Sequence, residues 1–140
     1  MKIPIDLPPS TLVPAPEEFT HASELHGQAH VARVLVHALR LTAATGWVEE
    51  LSRLWAAVYL HDIARTHDGV CYRHGADAIK KLDQLPRLRE RFSAVGLKET
   101  DHAMIRTAVV YHALPTETVS VKWRSDVGLG SRSAYRPSLC

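Results

Sequence analysis

The sequence predicts an all-α protein, a bundle of about five helices with a proline-rich N-terminal arm and an irregular C-terminal tail. Three observations carry the helical part. Apolar residues recur at spacings of three and four through most of the chain. No segment alternates strictly between apolar and polar residues with turn signals at its ends. Glycine and proline fall where helices would stop or start, at Gly46, Pro86, Gly96 and Pro115.

Residues 1–20 hold Pro4, Pro8, Pro9, Pro14 and Pro16, five of the eight prolines. That density suits an extended arm or a covering strap rather than a regular element. The first helix is expected from Ala22 to Thr45, ended by Gly46, with an inward stripe of His30, Val34, His37 and Leu41 and with Val31, Leu35 and Ala38 beside it. The second runs from Val48 to Ala64, with Val48, Leu51, Leu54, Trp55 and Val58 inward and Trp47 in the core. The third opens at Arg73-His74 and reaches Leu82, with Ala78 and Ile79 on its apolar side. A short helix spans Leu85 to Phe92. A further one runs from Glu99 to His112 with Ile105, Ala108 and Val109 inward, closed by Pro115. Residues 21–116 thus form the helical core, and 117–140 are a poorly patterned tail.

A chain of 140 residues, 46% hydrophobic, fits one domain with one sizeable core. The net charge of +2 and the pI of about 8.7 fall short of a nucleic-acid footprint, so nucleic acid is not an expected partner. No apolar run approaches the length of a membrane span, and no signal-peptide pattern is seen, so the expectation is a cytoplasmic protein with no membrane partner. The two cysteines, Cys71 and Cys140, suggest neither a disulfide framework nor a cysteine zinc knuckle. Homo-oligomerisation is left open.

Nine histidines are the outlying count. Histidine is the commonest metal ligand and a usual general base. His61 and Asp62 end the second helix and continue its inward stripe, so two neighbouring residues can turn toward one ion. A bare buried carboxylate costs several kcal/mol unless paired or metal-bound. The plain alternative is a helix end held by a structural hydrogen bond. His30 lies on the inward stripe of the first helix, with His26 one turn earlier. Arg33 follows His30 by three residues and can meet a carboxylate or a phosphate. His112 ends the last helix on the Ile105–Val109 side, with Asp101 on nearly the same face and His102 pointing elsewhere, toward solvent. His74 opens the third helix, where Gly75 and Ala76 allow close approach. Such a thiolate-free set suits a first-row divalent ion or magnesium (Mn, Fe, Zn, Ni, Co or Mg), with donors enough for a second.

The stretches His26-Gly27-Gln28-Ala29-His30-Val31-Ala32-Arg33-Val34 and His61-Asp62-Ile63-Ala64-Arg65-Thr66-His67-Asp68-Gly69, with the later His74-Gly75, resemble the HD-domain metal-dependent phosphohydrolase superfamily. The resemblance covers roughly residues 20–114. It implies a hydrolase whose divalent ion activates water against a phosphomonoester or phosphodiester, a nucleotide among the small phosphorylated substrates. It implies His30, His61 and Asp62 as ligands of the principal metal, with Asp62 also orienting the attacking water. His74 and His112 are implied for a second metal or the substrate phosphate. His26, Arg33 and Arg65 are implied as substrate or ion-pair residues. Asp68 either lines the site or lies in a solvated loop. The family's later acidic run, Asp-Ala-Asp-x-Leu-Asp, is not matched. Asp126 is the nearest substitute for its metal-binding aspartate. The alternative is a catalytically impaired or truncated HD-domain protein that binds metal or nucleotide without turnover.

Overall fold

The computed structural model describes residues 7–114, and in them every regular element is helical. The helices are α1 (Gln28–Thr45), α2 (Leu51–Leu60), α3 (His74–Gln84), α4 (Pro86–Ala94) and α5 (Glu99–His112), with short 3-10 turns at Pro9–Thr11, Pro16–Glu18 and Val48–Glu50. No helix among the described residues is long and apolar enough to cross a membrane. The tail residues, Asp126 and Cys140 included, lie outside the described residues.

α2 is the centre of the bundle. Trp55, Ala56, Tyr59 and Leu60 are fully buried, so most of its circumference faces protein. α1 packs on one side and α5 on another, with α3 against α5. Trp55, Tyr59 and Phe92 of α4 meet edge to face, with ring centroids 5.4–5.8 Å apart. Each such pair contributes about 0.5–1.5 kcal/mol beyond area burial.

The proline-rich strap from Leu7 to Thr20 lies on the chain's own core. Trp55 Nε1 donates to Leu12 O at 2.8 Å. Glu18 is 5% exposed and accepts hydrogen bonds from Tyr59 Oη at 2.7 Å and Ala15 N at 2.9 Å, with Arg91 beside it. Burial alone would push the Glu18 carboxyl up. The Tyr59 hydroxyl, the Ala15 N–H and the Arg91 charge outweigh it and hold the pKa below its ordinary value.

Several sequence expectations are corrected. α1 begins at Gln28, not Ala22. Ser23 Oγ accepts from the N–H groups of Leu25 and His26 at 3.1 and 2.8 Å, a local turn that competes with helix. His26 therefore sits on a turn before the helix, not on its face. The buried stripe of α1 centres on Val31, Leu35 and Ala38, the residues expected beside it, and continues to Thr42, whereas His37 and Leu41 are exposed. Trp47 and Val48 are exposed rather than inward. They follow Gly46, whose positive φ of 75° turns the chain away from α1. α2 ends at Leu60, and His61 to Ala64 continue as a tight turn. Ala108 is exposed, whereas His102 is buried beside Asp83. Asp101 accepts from Lys98 N at 2.7 Å and from Arg53 Nε at 2.6 Å, which ties the start of α5 to α2 far from His112. Cys71 is buried.

Candidate metal centre

The C-terminal end of α2 builds the centre. His61 is still helical, its N–H donating to Ala57 O at 3.0 Å. Two tighter bonds follow, Ile63 N to Leu60 O at 3.1 Å and Arg65 N to Asp62 O at 3.2 Å. This tightening turns two consecutive side chains into one space. Asp62 is 3% exposed there. Arg65 Nε donates to Asp62 Oδ1 at 2.8 Å, and Arg65 Nη1 donates to Gly69 O at 3.1 Å. Arg65 thus clamps the carboxylate and the loop behind it.

Both oxygens of Asp62 are surrounded by imidazole nitrogens. Oδ2 lies 2.9 Å from His26 Nδ1, 3.4 Å from His30 Nε2 and 3.5 Å from His61 Nε2. Oδ1 lies 3.3 Å from His74 Nε2 and 3.9 Å from His112 Nε2. Two groups of mutually close donors result among the described residues, His26–His30–Asp62 and Asp62–His74–His112. They share one carboxylate. His61 stands between them, its ring centroid 5.3 Å from those of both His30 and His112.

The back sides of three rings fix their protonation. His61 Nδ1 lies 2.6 Å from Val58 O, His74 Nδ1 2.6 Å from Cys71 O, and His112 Nδ1 2.5 Å from Val109 O. A carbonyl cannot donate, so each Nδ1 carries the hydrogen and each Nε2 turns a lone pair inward. His61 Nε2 then faces His30 Nε2 at 3.3 Å, and His74 Nε2 faces His112 Nε2 at 3.0 Å. Two inward lone pairs at that distance repel unless a cation or an added proton lies between them. An ion binding imidazole at about 2.0–2.1 Å in a tetrahedral set holds its ligand atoms roughly 3.3 Å apart. The donor set therefore fits divalent metal, and the imidazole-rich, thiolate-free composition suits the first-row ions.

Local packing makes the second group possible. A Cβ on Gly75 would lie 2.2 Å from Val109 O, so only glycine lets α3 close on α5 and bring His74 to His112. Ala76, paired with Gly75 in the sequence reading, is exposed and plays no such part.

Electrostatics follow from crowding. Burial opposes ionisation of Asp62, but the surrounding imidazoles of His112, His74 and His61 and the Arg65 guanidinium hold its carboxyl far below the usual carboxylate range. His61 is lowered by burial, against the pull of Asp62 and Val58 O. His30 is lowered by burial as well, with Asp62 opposing. Both rings favour the neutral form that a metal requires.

The structure thus brings together His26, His30, His61, Asp62, His74 and His112. Arg65 reads as the carboxylate clamp. Arg33 is exposed on α1, close enough for its charge to act on His30. Asp68 accepts from Ser23 Oγ at 2.5 Å and lies 3.6 Å from His21 Nε2, in the loop after the His-Asp turn. His67 Nδ1 accepts from Gly69 N at 3.0 Å. The sequence reading missed His26 as a metal-facing donor. Its signal is Ser23 three residues upstream, which marks a turn where periodicity alone reads helix. Comparison of the chain with protein-family models, with curated proteins and with solved structures finds no match.

Proposed function

We propose that the chain is a metal-dependent phosphohydrolase of the HD-domain superfamily, acting on small phosphomonoesters or phosphodiesters, nucleotides among them. The observation that carries this is Asp62, whose two oxygens each serve a separate cluster of imidazole nitrogens. Divalent ions held by such donors lower the pKa of a bound water to about 7 and offset charge on a phosphoryl oxygen. The protein's own part is orientation. Arg65 holds Asp62 ionised and fixed, and three backbone carbonyls aim the Nε2 atoms of His61, His74 and His112. Asp62 also accepts a hydrogen bond from the attacking water. Arg33, exposed beside His30, meets the substrate phosphate as a charged, bidentate donor.

A second reading has its own observation. Asp62 is the sole carboxylate in either donor group among the described residues. A nitrogen-dominated centre also serves a protein that binds metal or a nucleotide without turnover. Metal analysis of the purified chain, with a screen of phosphomonoesters and phosphodiesters, separates the two. Metal-dependent hydrolysis lost in His61→Ala supports the hydrolase. Full metal content with no turnover on any ester supports the binding protein.

A further inference from the structure

We propose that His26, through Nδ1, is the fourth protein ligand of the ion held by His30, His61 and Asp62. The proposal rests on the metal-centre reading above and adds a ligand to it. His26 Nδ1 is within hydrogen-bond reach of Asp62 Oδ2 at 2.9 Å, and the donor atoms of His26, His30 and Asp62 all lie within 4.8 Å of one another. His30 Nε2, His61 Nε2 and Asp62 Oδ2 are mutually separated by 3.3 to 3.5 Å. With His26 and the neighbouring His61 this side of Asp62 offers three imidazole nitrogens and one carboxylate oxygen. The second group, with Asp62, His74 and His112, offers three donors.

His26 differs from the other ligands in its mounting. It sits on a turn, and the turn is built to hold it. Ser23 Oγ accepts from His26 N at 2.8 Å and donates to Asp68 Oδ1 at 2.5 Å. That chain of bonds ties the His26 turn to the loop that follows His61-Asp62. A Cβ on Gly27 would lie 2.2 Å from Ser23 O, so the turn closes this tightly only with glycine next to His26. Ser23 and Asp68 are positioning residues for a ligand that no helix holds.

The test is metal binding by the full chain, stripped with chelator and titrated with Zn²⁺ or Co²⁺ against a competing chelator. The wild-type chain takes up two ions. In His26→Ala one ion keeps its affinity and the other weakens by about 100-fold or more, with a reduced visible absorption for that Co²⁺. Ser23→Ala, which removes no ligand, weakens the same ion by about 10-fold, the low end of the effect of outer-shell partners, and Ser23→Thr restores it. Helical circular dichroism checks that each variant is folded. His26→Ala binding both ions as tightly as wild type overturns the proposal, and so does a wild-type chain that binds none. A wild-type chain that binds two ions but hydrolyses nothing overturns the phosphohydrolase reading alone. The loss of one ion in His26→Ala still supports the ligand in that case.

Discussion

His74 and His112 face each other nitrogen to nitrogen, Nε2 to Nε2 at 3.0 Å, while each ring's Nδ1 is committed to a backbone carbonyl. Neither ring has a hydrogen to offer the other in its neutral form. The pair is arranged for a shared cation. Truncation of one partner therefore removes a ligand without disturbing the core, because His112 is at the exposed end of α5. His112→Ala is expected to reduce bound metal from two ions to one and to lower hydrolysis by about 100-fold or more, which corresponds to roughly 3 kcal/mol of transition-state stabilisation. Metal content measured beside the rate on a phosphomonoester checks both.

Gly75 sets how closely α3 approaches α5. In Gly75→Ala the new Cβ meets the Val109 carbonyl, and the helices must separate. Overpacking of this kind costs about 1–3 kcal/mol. The variant is expected to unfold at lower denaturant and to lose the ion held by His74 and His112 while keeping the other. Urea unfolding with metal analysis measures both effects on one sample.

The pH dependence has a definite sign. The folded His30 and His61 pKa values lie below the ordinary histidine value, because burial disfavours the charged rings. A depressed folded pKa means that the unfolded chain binds protons first, so this contribution to stability is present above about pH 6.5 and is lost as pH falls. Metal affinity falls in the same direction as protons compete for the nitrogens. Metal binding measured from pH 8 to pH 5 is expected to be flat at first and then to weaken below the ordinary histidine range. Affinity that rises on acidification contradicts this.

Glu18 latches the proline-rich strap. Its carboxylate is buried among Tyr59, Arg91 and the Ala15 N–H, and Lys81 Nζ donates to the Glu18 carbonyl. Removing one partner of a buried pair costs about 3–5 kcal/mol. Glu18→Ala is expected to lose stability of that order and to expose Trp55, whose indole donates to the strap at Leu12 O. Denaturant unfolding and Trp fluorescence report it. Because the folded Glu18 pKa is depressed, its contribution is present above the unfolded carboxyl value of about 4.3 and fades as pH falls below it.

Much of the centre was legible in the sequence because helical spacing carries it. His61 and Asp62 continue the stripe of α2, and His112 continues that of α5, whose bounds match the expected ones. What spacing does not carry is local hydrogen bonding and the packing of one helix on another. The Ser23 hydroxyl unwinds the expected start of α1 and puts His26 on a turn. The contact between Gly75 and Val109 belongs to two helices far apart in sequence. The Arg65 clamp depends on the tight turn after Leu60, where a phosphate contact was equally consistent with sequence. Trp47 is expected in the core, but it follows a left-handed glycine that turns it outward.

The sharing of Asp62 between two ions is tested most directly by the number of ions bound. Asp62→Asn preserves the shape of the side chain and offers at most one oxygen. Equilibrium metal titration of the chelator-stripped chain is expected to give two ions for the wild type and one or none for Asp62→Asn. Two ions retained at wild-type affinity in Asp62→Asn, or none in the wild type, would contradict the shared-carboxylate centre.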